Sequence, residues 1–429
     1  MRDEEALSSS LWAATATEPP IDAPPLDGTA RADVAVVGAG YTGLAAALHL
    51  AQAGAAVRVI ESREVGWGGS GRNFGQVIPG LKYDPDEIEL RFGPELGARL
   101  IALAGGAADE LFALVRRHGI LCDAAQSGWI QPAHGARGLA IARGRVEQWA
   151  KRGADVEFLD RARAAALLGT ESYAGGWLDR RGGQVQPLSL ARGLARAAKE
   201  AGALIHGRSP VTRLERQGAR WRVATAKAAV EADTVILATN AYTTRLWPGL
   251  RQSLIPVRPF VAASAPLGEN VRRTILPQGH AASDSKRLLS YFRLDAQGRF
   301  LMGGRGALDH RAHSHLFDGL AADARRFFPQ LGRVEWAYRW SGWLAMTADH
   351  MPHLHALAPG LYAGLGYQGR GLALALVFGR ELARRALHGD TIRDGWPVTP
   401  LRPLPFHALR GPALRGIRLY WRLCDRLDG

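Results

Sequence analysis

The chain is poor in cysteine and has no long apolar run. Cys122 and Cys424 are the only cysteines in 429 residues, and their separation excludes both a disulfide scaffold and a Cys/His zinc site. The longest strongly apolar run, residues 371–378, is far shorter than the roughly 20 residues of a membrane helix. The first thirty residues lack the apolar region of a secretory signal. We therefore expect a cytoplasmic protein without a transmembrane segment.

Lysine is also scarce, although the chain is strongly basic. Only five of the 54 lysine and arginine residues are lysines, and the formal net charge is +14. Such a charge raises the question of nucleic-acid or membrane-surface binding. The arginines are scattered through every segment instead of forming one run, which indicates compositional bias. We therefore expect no nucleic-acid partner.

A glycine motif follows the apolar run at residues 34–37 and precedes an Ala/Leu-rich stretch that is predicted to be helical. It has the form Gly-x-Gly-x-x-Gly. Gly38 permits a tight turn, Gly40 lets the backbone approach a pyrophosphate, and Gly43 lets the helix pack closely on the strand. The helix N-terminus offers its N–H groups to the phosphates. The motif therefore predicts a dinucleotide site in a βαβ unit.

The second strand of this unit, residues 57–60, is followed by Glu61, 18 residues after Gly43. A carboxylate there can accept hydrogen bonds from ribose hydroxyls, and it disfavours a 2′-phosphate. The motif by itself leaves NAD and FAD open. Two later elements favour FAD: the buried strand at 233–240, which ends in small and polar residues, and the strand, glycine loop and helix at 361–373.

Alternation of helix and strand resumes after Pro187, and Asp84 with Pro85 has the pattern of a helix N-cap and first turn. Residues 208–224 and 255–303 alternate as antiparallel strands do. The predicted fold is α/β, with a Rossmann-like FAD-binding domain and a second, antiparallel-sheet substrate domain. The expected divisions are an arm at 1–30, FAD-binding segments at 31–85, 156–254 and 344–390, substrate segments at 86–155 and 255–343, and a tail with an amphipathic helix at 391–429.

The loop Gly66-Trp67-Gly68-Gly69-Ser70-Gly71-Arg72-Asn73-Phe74-Gly75-Gln76 is the most specific motif. Together with motifs from residues 11–15 to 421–427, it resembles the D-amino-acid-oxidase superfamily of flavoenzymes, in its gamma-glutamylputrescine oxidoreductase-like branch. The resemblance implies a glutathione-reductase-type fold. It also implies oxidation of an amine or amino-acid derivative, in which a hydride passes from the amine-bearing carbon to flavin N5 and the imine hydrolyses. We expect FAD to be bound without a covalent link. Residues 342–346, where the resemblance to sarcosine oxidases would place a flavin-linking cysteine, contain no cysteine, and residues 62–80 contain no histidine.

The resemblance also implies a set of FAD contacts. From the pyrophosphate and adenosine to the ribityl chain and the pyrimidine end of the flavin, these are Gly38, Gly40, Thr42, Gly43, Glu61, Ser62, Arg63, Gly69, Ser70, Arg72, Asn73, Gln76, Val211, Ala238, Thr239, Gly369, Arg370, Gly371 and Leu372. Two positions depart from relatives. Phe74 replaces a glycine, which predicts a narrower or more aromatic site, and Ala373 replaces the substrate-binding lysine of sarcosine oxidase-like proteins.

The candidates for substrate binding are Arg258, Tyr291 and Arg305, together with Arg293. For the arginines, the competing interpretation is a solvated charge on a strand edge. No single residue is predicted to be the catalytic acid or base. The histidines near 350–355 have no metal-binding spacing, so we expect no metal. The C-terminal helix predicted at 412–427 is amphipathic. We expect it to pack on the flavin domain, with a membrane or protein partner as the alternative.

Three functions remain open. The first is an oxidase that passes electrons to oxygen. The second is an amine or D-amino-acid dehydrogenase with a quinone or protein acceptor. The third is a flavin-binding subunit of a larger complex. The intact polar residues of the flavin loop favour an enzyme.

Overall fold

The computed structural model describes residues 7–304 and 314–427. Within these ranges, no helix combines the length and apolar character needed to cross a membrane. The helices, numbered in chain order, are α1 (Leu11–Thr15), α2 (Tyr41–Gln52), α3 (Pro85–Phe92), α4 (Pro94–Gly105), α5 (Ala107–Arg117), α6 (Gly135–Ala150), α7 (Arg161–Leu168), α8 (Pro187–Glu200), α9 (Glu269–Arg272), α10 (Ser314–Phe327), α11 (Gly371–His388) and α12 (Arg410–Leu427).

The strands form two large sheets and two small ones. They are β1 (Thr29–Val37), β2 (Val57–Ile60), β3 (Gln76–Val77), β4 (Trp129–Ala133), β5 (Val156–Leu159), β6 (Gly175–Asp179), β7 (Gly183–Gln184), β8 (Leu204–His206), β9 (Arg213–Gln217), β10 (Arg220–Ala224), β11 (Ala229–Leu237), β12 (Ile255–Val257), β13 (Phe260–Pro266), β14 (Ala281–Ser283), β15 (Ser290–Leu294), β16 (Arg299–Gly304), β17 (Tyr338–Ser341), β18 (Leu344–Met346), β19 (His353–Ala358) and β20 (Leu361–Leu365).

The first large sheet has the order β19-β20-β11-β1-β2-β8, and the hairpin β9–β10 extends from β11. Strands β20, β11, β1, β2 and β8 run parallel to one another. Their carboxyl ends therefore lie at one edge of the sheet, where ligands of doubly wound folds bind. The predicted Rossmann-like fold is confirmed.

One face of this sheet is covered by helices. The Ala/Leu-rich sequence of α2 is buried on nearly every side, and it packs against α8 and α11. Small residues permit this close approach: a Cβ on Gly379 would lie 2.5 Å from the Cβ of Ala45, and a Cβ on Gly43 would lie 2.0 Å from the carbonyl oxygen of Gly38. Packing thus fixes where the N-terminus of α2 meets the end of β1.

The second large sheet has the order β17-β13-β16-β15-β14-β4-β6-β5. It is antiparallel except where β14 pairs with β4. Aromatic side chains form much of its core, including the T-shaped pair Phe292 and Phe328, whose ring centroids are 4.9 Å apart. One face of this sheet is directed towards the carboxyl edge of the first sheet.

The predicted boundary between the substrate domain and the FAD-binding domain, placed between residues 155 and 156, is wrong. Strands β5 and β6 lie beyond it, in the segment assigned to the FAD-binding domain, but they pair with each other and with β4 in the second sheet. Helices α3 to α5, which were assigned to the substrate domain, bury Ile88, Leu100 and Leu111 in the same core as α2 and α11. Short apolar segments do not reveal from sequence which sheet or core they join.

From residue 7 to residue 28, the N-terminal arm has no regular secondary structure apart from α1 and a short turn at Leu7–Ser9. Trp12 and Leu11 of α1 are buried. Further along the chain, Asp84 and Pro85 do begin a helix, as predicted. The Asp84 carboxylate does not cap it, however, and instead accepts a 2.7 Å hydrogen bond from Nε of Arg145.

Candidate active site

A cavity of about 720 Å³ lies between the carboxyl edge of the first sheet and the face of the second. Its walls bring together segments that are up to several hundred residues apart in the chain. All the predicted FAD-contact residues except Gly43 line it. Gly43 lies one turn into α2, where its lack of a side chain allows the helix to contact Gly38.

The glycine turn after β1 forms a cradle without side chains. Gly38 has φ +108°, a conformation that favours glycine. A Cβ on Gly40 would lie 2.9 Å from Oγ of Ser70. That hydroxyl accepts a 3.0 Å hydrogen bond from the backbone N–H of Tyr41. The turn and the Ser70 loop therefore enclose a narrow space next to the helix N-terminus, which fits a dinucleotide pyrophosphate.

Glu61 lies at the end of β2, as predicted. Its Oε2 accepts the backbone N–H of Ala39 at 2.8 Å, and Oε1 accepts the hydroxyl of Ser62 at 3.0 Å and the N–H of Arg63 at 2.9 Å. A carboxylate has about four acceptor sites. Among contacts of the described residues, Oε1 accepts two hydrogen bonds and Oε2 accepts one. Oε2 can therefore accept a further hydrogen bond from a ribose hydroxyl, and the three existing bonds fix the direction of the side chain.

We predict that Glu61→Gln weakens FAD binding about 10- to 100-fold, since hydrogen bonds to a charged group are worth ~1.5–3 kcal/mol each. In either orientation the amide NH2 group faces a backbone N–H donor, that of Ala39 or that of Arg63. Titration of apoprotein with FAD measures the loss. Glu64→Gln, an exposed carboxylate three residues away, is the control. Equal affinity in both variants would contradict the role of Glu61.

The loop 66–76 is braced by its own polar groups. Nδ2 of Asn73 donates to the carbonyl of Ser70 at 2.8 Å, and Oδ1 of Asn73 accepts the N–H of Gly75 at 2.8 Å. Nε of Arg72 donates to the carbonyl of Trp67 at 2.9 Å, and its guanidinium lies 4.8 Å from the Trp67 ring centroid. These contacts shape the part of the cavity that the resemblance assigns to the ribityl chain and the flavin ring.

Three side chains hold the backbone of this loop from behind. The indole N–H of Trp12 donates to the carbonyl of Asn73 at 2.8 Å, and that of Trp340 donates to the carbonyl of Arg72 at 3.0 Å. Nη1 of Arg293 donates to the carbonyl of Gly75 at 3.2 Å. We call Trp12, Arg293 and Trp340 the loop clamp.

Arg293 is therefore not a substrate contact, contrary to its inclusion among the candidates. It is buried behind the cavity wall, and its guanidinium lies 5.0 Å from the centroid of the Trp12 ring. Burial lowers its pKa to about 10, so the side chain remains charged at neutral pH. Alternation along β15 could place a side chain on one face but could not show that the loop 66–76 covers that face.

The glycine loop after β20 closes the opposite side. Gln368 and Gly369 have φ +55° and +84°, and the N–H of Gly366 donates to Oδ1 of Asn240 at 3.0 Å. A positive φ in a non-glycine residue is a cost that often accompanies a functional site. Arg370 donates to the carbonyl of Pro79, and burial lowers the pKa of this arginine to about 10. The loop thus places a cation and a helix N-terminus at this end of the cavity.

The side of the cavity formed by the second sheet carries two predicted substrate residues, Arg258 and Tyr291. Nε of Arg258 donates to Oγ of Ser341 at 2.7 Å, and the buried guanidinium lies 5.8 Å from the Trp343 ring centroid. Tyr291 packs edge-on against Phe74, with centroids 4.5 Å apart. The aromatic wall expected from Phe74 is therefore present. The third candidate, Arg305, lies outside the described residues.

Ala373 is fully buried and does not line the cavity, whereas its neighbours Leu372 and Ala375 do. Sequence reasoning missed several lining residues: Tyr242, Trp343, Asp284 and Lys82. No motif marks them. Asn240 also lines the cavity, and its place at the end of the predicted strand 233–240 did indicate that it lies near the cofactor.

Two of the histidines near residue 350 make hydrogen bonds within the protein. Nε2 of His353 lies 3.0 Å from Oδ1 of Asp349, and Nδ1 of His355 donates to the carbonyl of Thr399 at 2.6 Å. Burial lowers the pKa of His355 to about 4. Across the described ranges, His, Cys, Asp and Glu form no group of three that could hold a metal ion.

Fold and cavity together define a flavin-dependent oxidoreductase, and the comparisons give the family. The sequence matches the family described as DAO, FAD dependent oxidoreductase, over residues 33–385. The chain therefore belongs to this family, and FAD is its cofactor. The cradle in which a side chain at Gly40 would meet Ser70 fits that cofactor.

Individual relatives agree. The chain is 33% identical to gamma-glutamylputrescine oxidoreductase of Escherichia coli (strain K12) over 425 residues, 98% of this chain and 99% of that protein. It is structurally similar to glycine oxidase from Geobacillus kaustophilus, with a TM-score of 0.72 at 22% identity over 87% of this chain and 99% of the other. For L-proline dehydrogenase from P. horikoshii the TM-score is 0.69 at 18% identity, over 92% and 99%. The predicted resemblance is confirmed.

Proposed function

We propose that the chain oxidises an amine or amino-acid derivative with a remote acidic group, and that oxygen is the electron acceptor. The observation that carries the proposal is a buried, charged Arg258 on the aromatic wall of a cavity whose other walls are the predicted FAD loops. Similarity to a gamma-glutamylputrescine oxidoreductase supports an amine substrate with a distant carboxylate.

The predicted FAD contacts are distributed along the cavity, so that each group of residues corresponds to a different part of the cofactor. The turn at Gly38 and Gly40 would hold the pyrophosphate, Glu61 would bind the ribose, and the loop 66–76 would contact the ribityl chain and the flavin ring. When bound, FAD accepts a hydride from the amine-bearing carbon, and the resulting imine hydrolyses in water. The chain itself binds and orients the substrate, excludes water and fixes charge.

The aromatic wall gives this orientation. Phe74 and Tyr291 pack at 78° to each other, and both line the cavity. A substrate lying against them is desolvated on that side, and its acidic end is drawn towards Arg258. An acidic end bound at Arg258 would leave the neutral amine end of the substrate free to meet the flavin.

Flavin spectra with and without oxygen identify the electron acceptor. The fold does not distinguish the two cases, because one similar structure is named an oxidase and another is named a dehydrogenase. We expect anaerobic addition of an ω-amino acid or a γ-glutamylated diamine to bleach the flavin, whereas readmitted air restores the colour and yields peroxide. Bleaching without rapid reoxidation, but with reduction of a quinone analogue, would favour the dehydrogenase. Failure of a broad amine panel to bleach the flavin, with stable co-purification of another chain, would favour the subunit.

We predict that the FAD is bound without a covalent link. In the described part of the chain, neither cysteine lines the cavity, and burial raises the pKa of Cys122 to about 12, so it is a poor nucleophile. Acid precipitation should therefore release all the yellow colour into the supernatant. A yellow pellet would contradict this, and the same test on His350→Ala would show whether this cavity-lining imidazole is the linking group.

A further inference from the structure

The C-terminal helix α12 contributes to the cavity. Leu414, Ile417 and Trp421 line it together with the flavin loops. Their spacing of three and four residues places them on one face of the helix. Leu414 and Trp421 are half-buried, Ile417 is 40% exposed, and Arg415 and Tyr420 are exposed. The half-buried side of this helix therefore lies at the active site.

One carboxylate fastens the same face. Asp425 lies four residues after Trp421, and its side chain is 12% exposed. Oδ1 accepts the backbone N–H of Arg287 at 3.1 Å and its Nη1 at 3.2 Å, while Oδ2 accepts the N–H of Leu288 at 3.0 Å. These are charge-assisted bonds, which are stronger than neutral ones.

The segment that Asp425 grips is itself part of the substrate side. It joins β14 to β15, and Asp284, Leu289 and Tyr291 in and beside it line the cavity. The helix therefore docks on the segment between β14 and β15 of the second sheet, whereas the sequence predicted packing on the flavin domain. Oxygen atoms of one residue, Asp425, couple the position of α12 to the wall that carries Tyr291.

We propose that α12 is the chain-length-selecting wall of the substrate site: its apolar face contacts the methylene segment of the substrate, and Asp425 is the positioning residue that holds the wall in place. This rests on the proposed function, because it assumes that the substrate lies in this cavity. The substrate class is then an amine separated from its acidic end by several methylenes. Each methylene that reaches the wall strengthens binding about four-fold.

The test uses binding without turnover, so that it does not depend on the reaction. Straight-chain carboxylates from butanoate to octanoate are titrated into the FAD-loaded full chain, and the change in the flavin spectrum gives each Kd. In the wild type, Kd should fall about four-fold per methylene once the chain reaches α12. In Trp421→Ala the fall should be at most two-fold per methylene, and octanoate should bind about 10-fold more weakly, with butanoate unchanged.

Tyr420→Ala is the matched control, because it removes a neighbouring ring that is 64% exposed. It should keep the wild-type dependence on chain length. Asp425→Asn keeps the shape but removes the charge, and should weaken octanoate binding about five-fold while butanoate binding, FAD content and Tm stay the same. A structural role alone would lower Tm without changing the dependence on chain length.

The proposal is overturned if Trp421→Ala and Tyr420→Ala show the same dependence on chain length as the wild type. It is also overturned if Trp421→Ala weakens butanoate and octanoate equally. Should no amine reduce the wild-type flavin while the carboxylates still bind with the expected dependence, the proposed reaction fails and the wall remains. The two failures are therefore distinct.

Discussion

Replacing Gly40 by valine is expected to abolish FAD binding, with a loss of at least about 1,000-fold in affinity, or ~4 kcal/mol. A Cβ at this position lies 2.9 Å from Oγ of Ser70, and the two methyl groups of valine extend further into the space for the pyrophosphate. Ser70 cannot simply turn away, because its hydroxyl accepts the N–H of Tyr41. The purified variant should be colourless, as judged by the ratio of absorbance at flavin and protein wavelengths.

The control is the same substitution in a place where space is open. Gly144 lies within α6, and a Cβ there has only the terminal amide nitrogen of Gln148 nearby, at 3.9 Å. Gly144→Val should be as yellow as the wild type. A Gly40→Val protein that is folded and carries one FAD per chain would refute the placement of the pyrophosphate.

Arg258→Met is expected to lower kcat/KM for acidic substrates about 100-fold or more, the scale of ~3 kcal/mol of transition-state binding. Methionine keeps much of the apolar stem that packs near Trp343, but it removes a charge from a partly dry cavity. An ion pair is worth more there than in water. FAD content should be unchanged, and uncharged amines should lose far less.

The decisive quantity is the ratio of kcat/KM for acidic and uncharged substrates. Arg245→Met, which changes an exposed arginine, should leave this ratio as in the wild type. If Arg258→Met also leaves it unchanged, Arg258 does not bind the substrate. The same measurement on Arg305→Met then decides between the other candidate and an apolar cavity.

The parts of the site that are local in sequence were predictable. The turn between β1 and α2 and the carboxylate after β2 lie within 24 residues of one another, from Gly38 to Glu61. Parallel strands must place their carboxyl ends at one edge, so the segments after β11 and β20 could be assigned to the same site without coordinates.

Contacts across the chain were not predictable in this way. Arg293 looked like a substrate residue because alternation gives a face but not what covers it, and its partner Gly75 is 218 positions away. The docking of Asp425 on Arg287 spans 138 positions. For β5 and β6, four- and five-residue segments carry too little pattern to choose between two sheets.

The loop clamp has a consequence for how the protein matures. Trp12 comes from the N-terminal arm, whereas Arg293 and Trp340 come from the second sheet, so the three contacts of the loop clamp can all form only after residues up to 340 have been made. Closing contacts over such separations is slow compared with forming the local βαβ turn. An isolated first sheet would therefore carry the nucleotide turn without the long-range contacts that support the flavin loop.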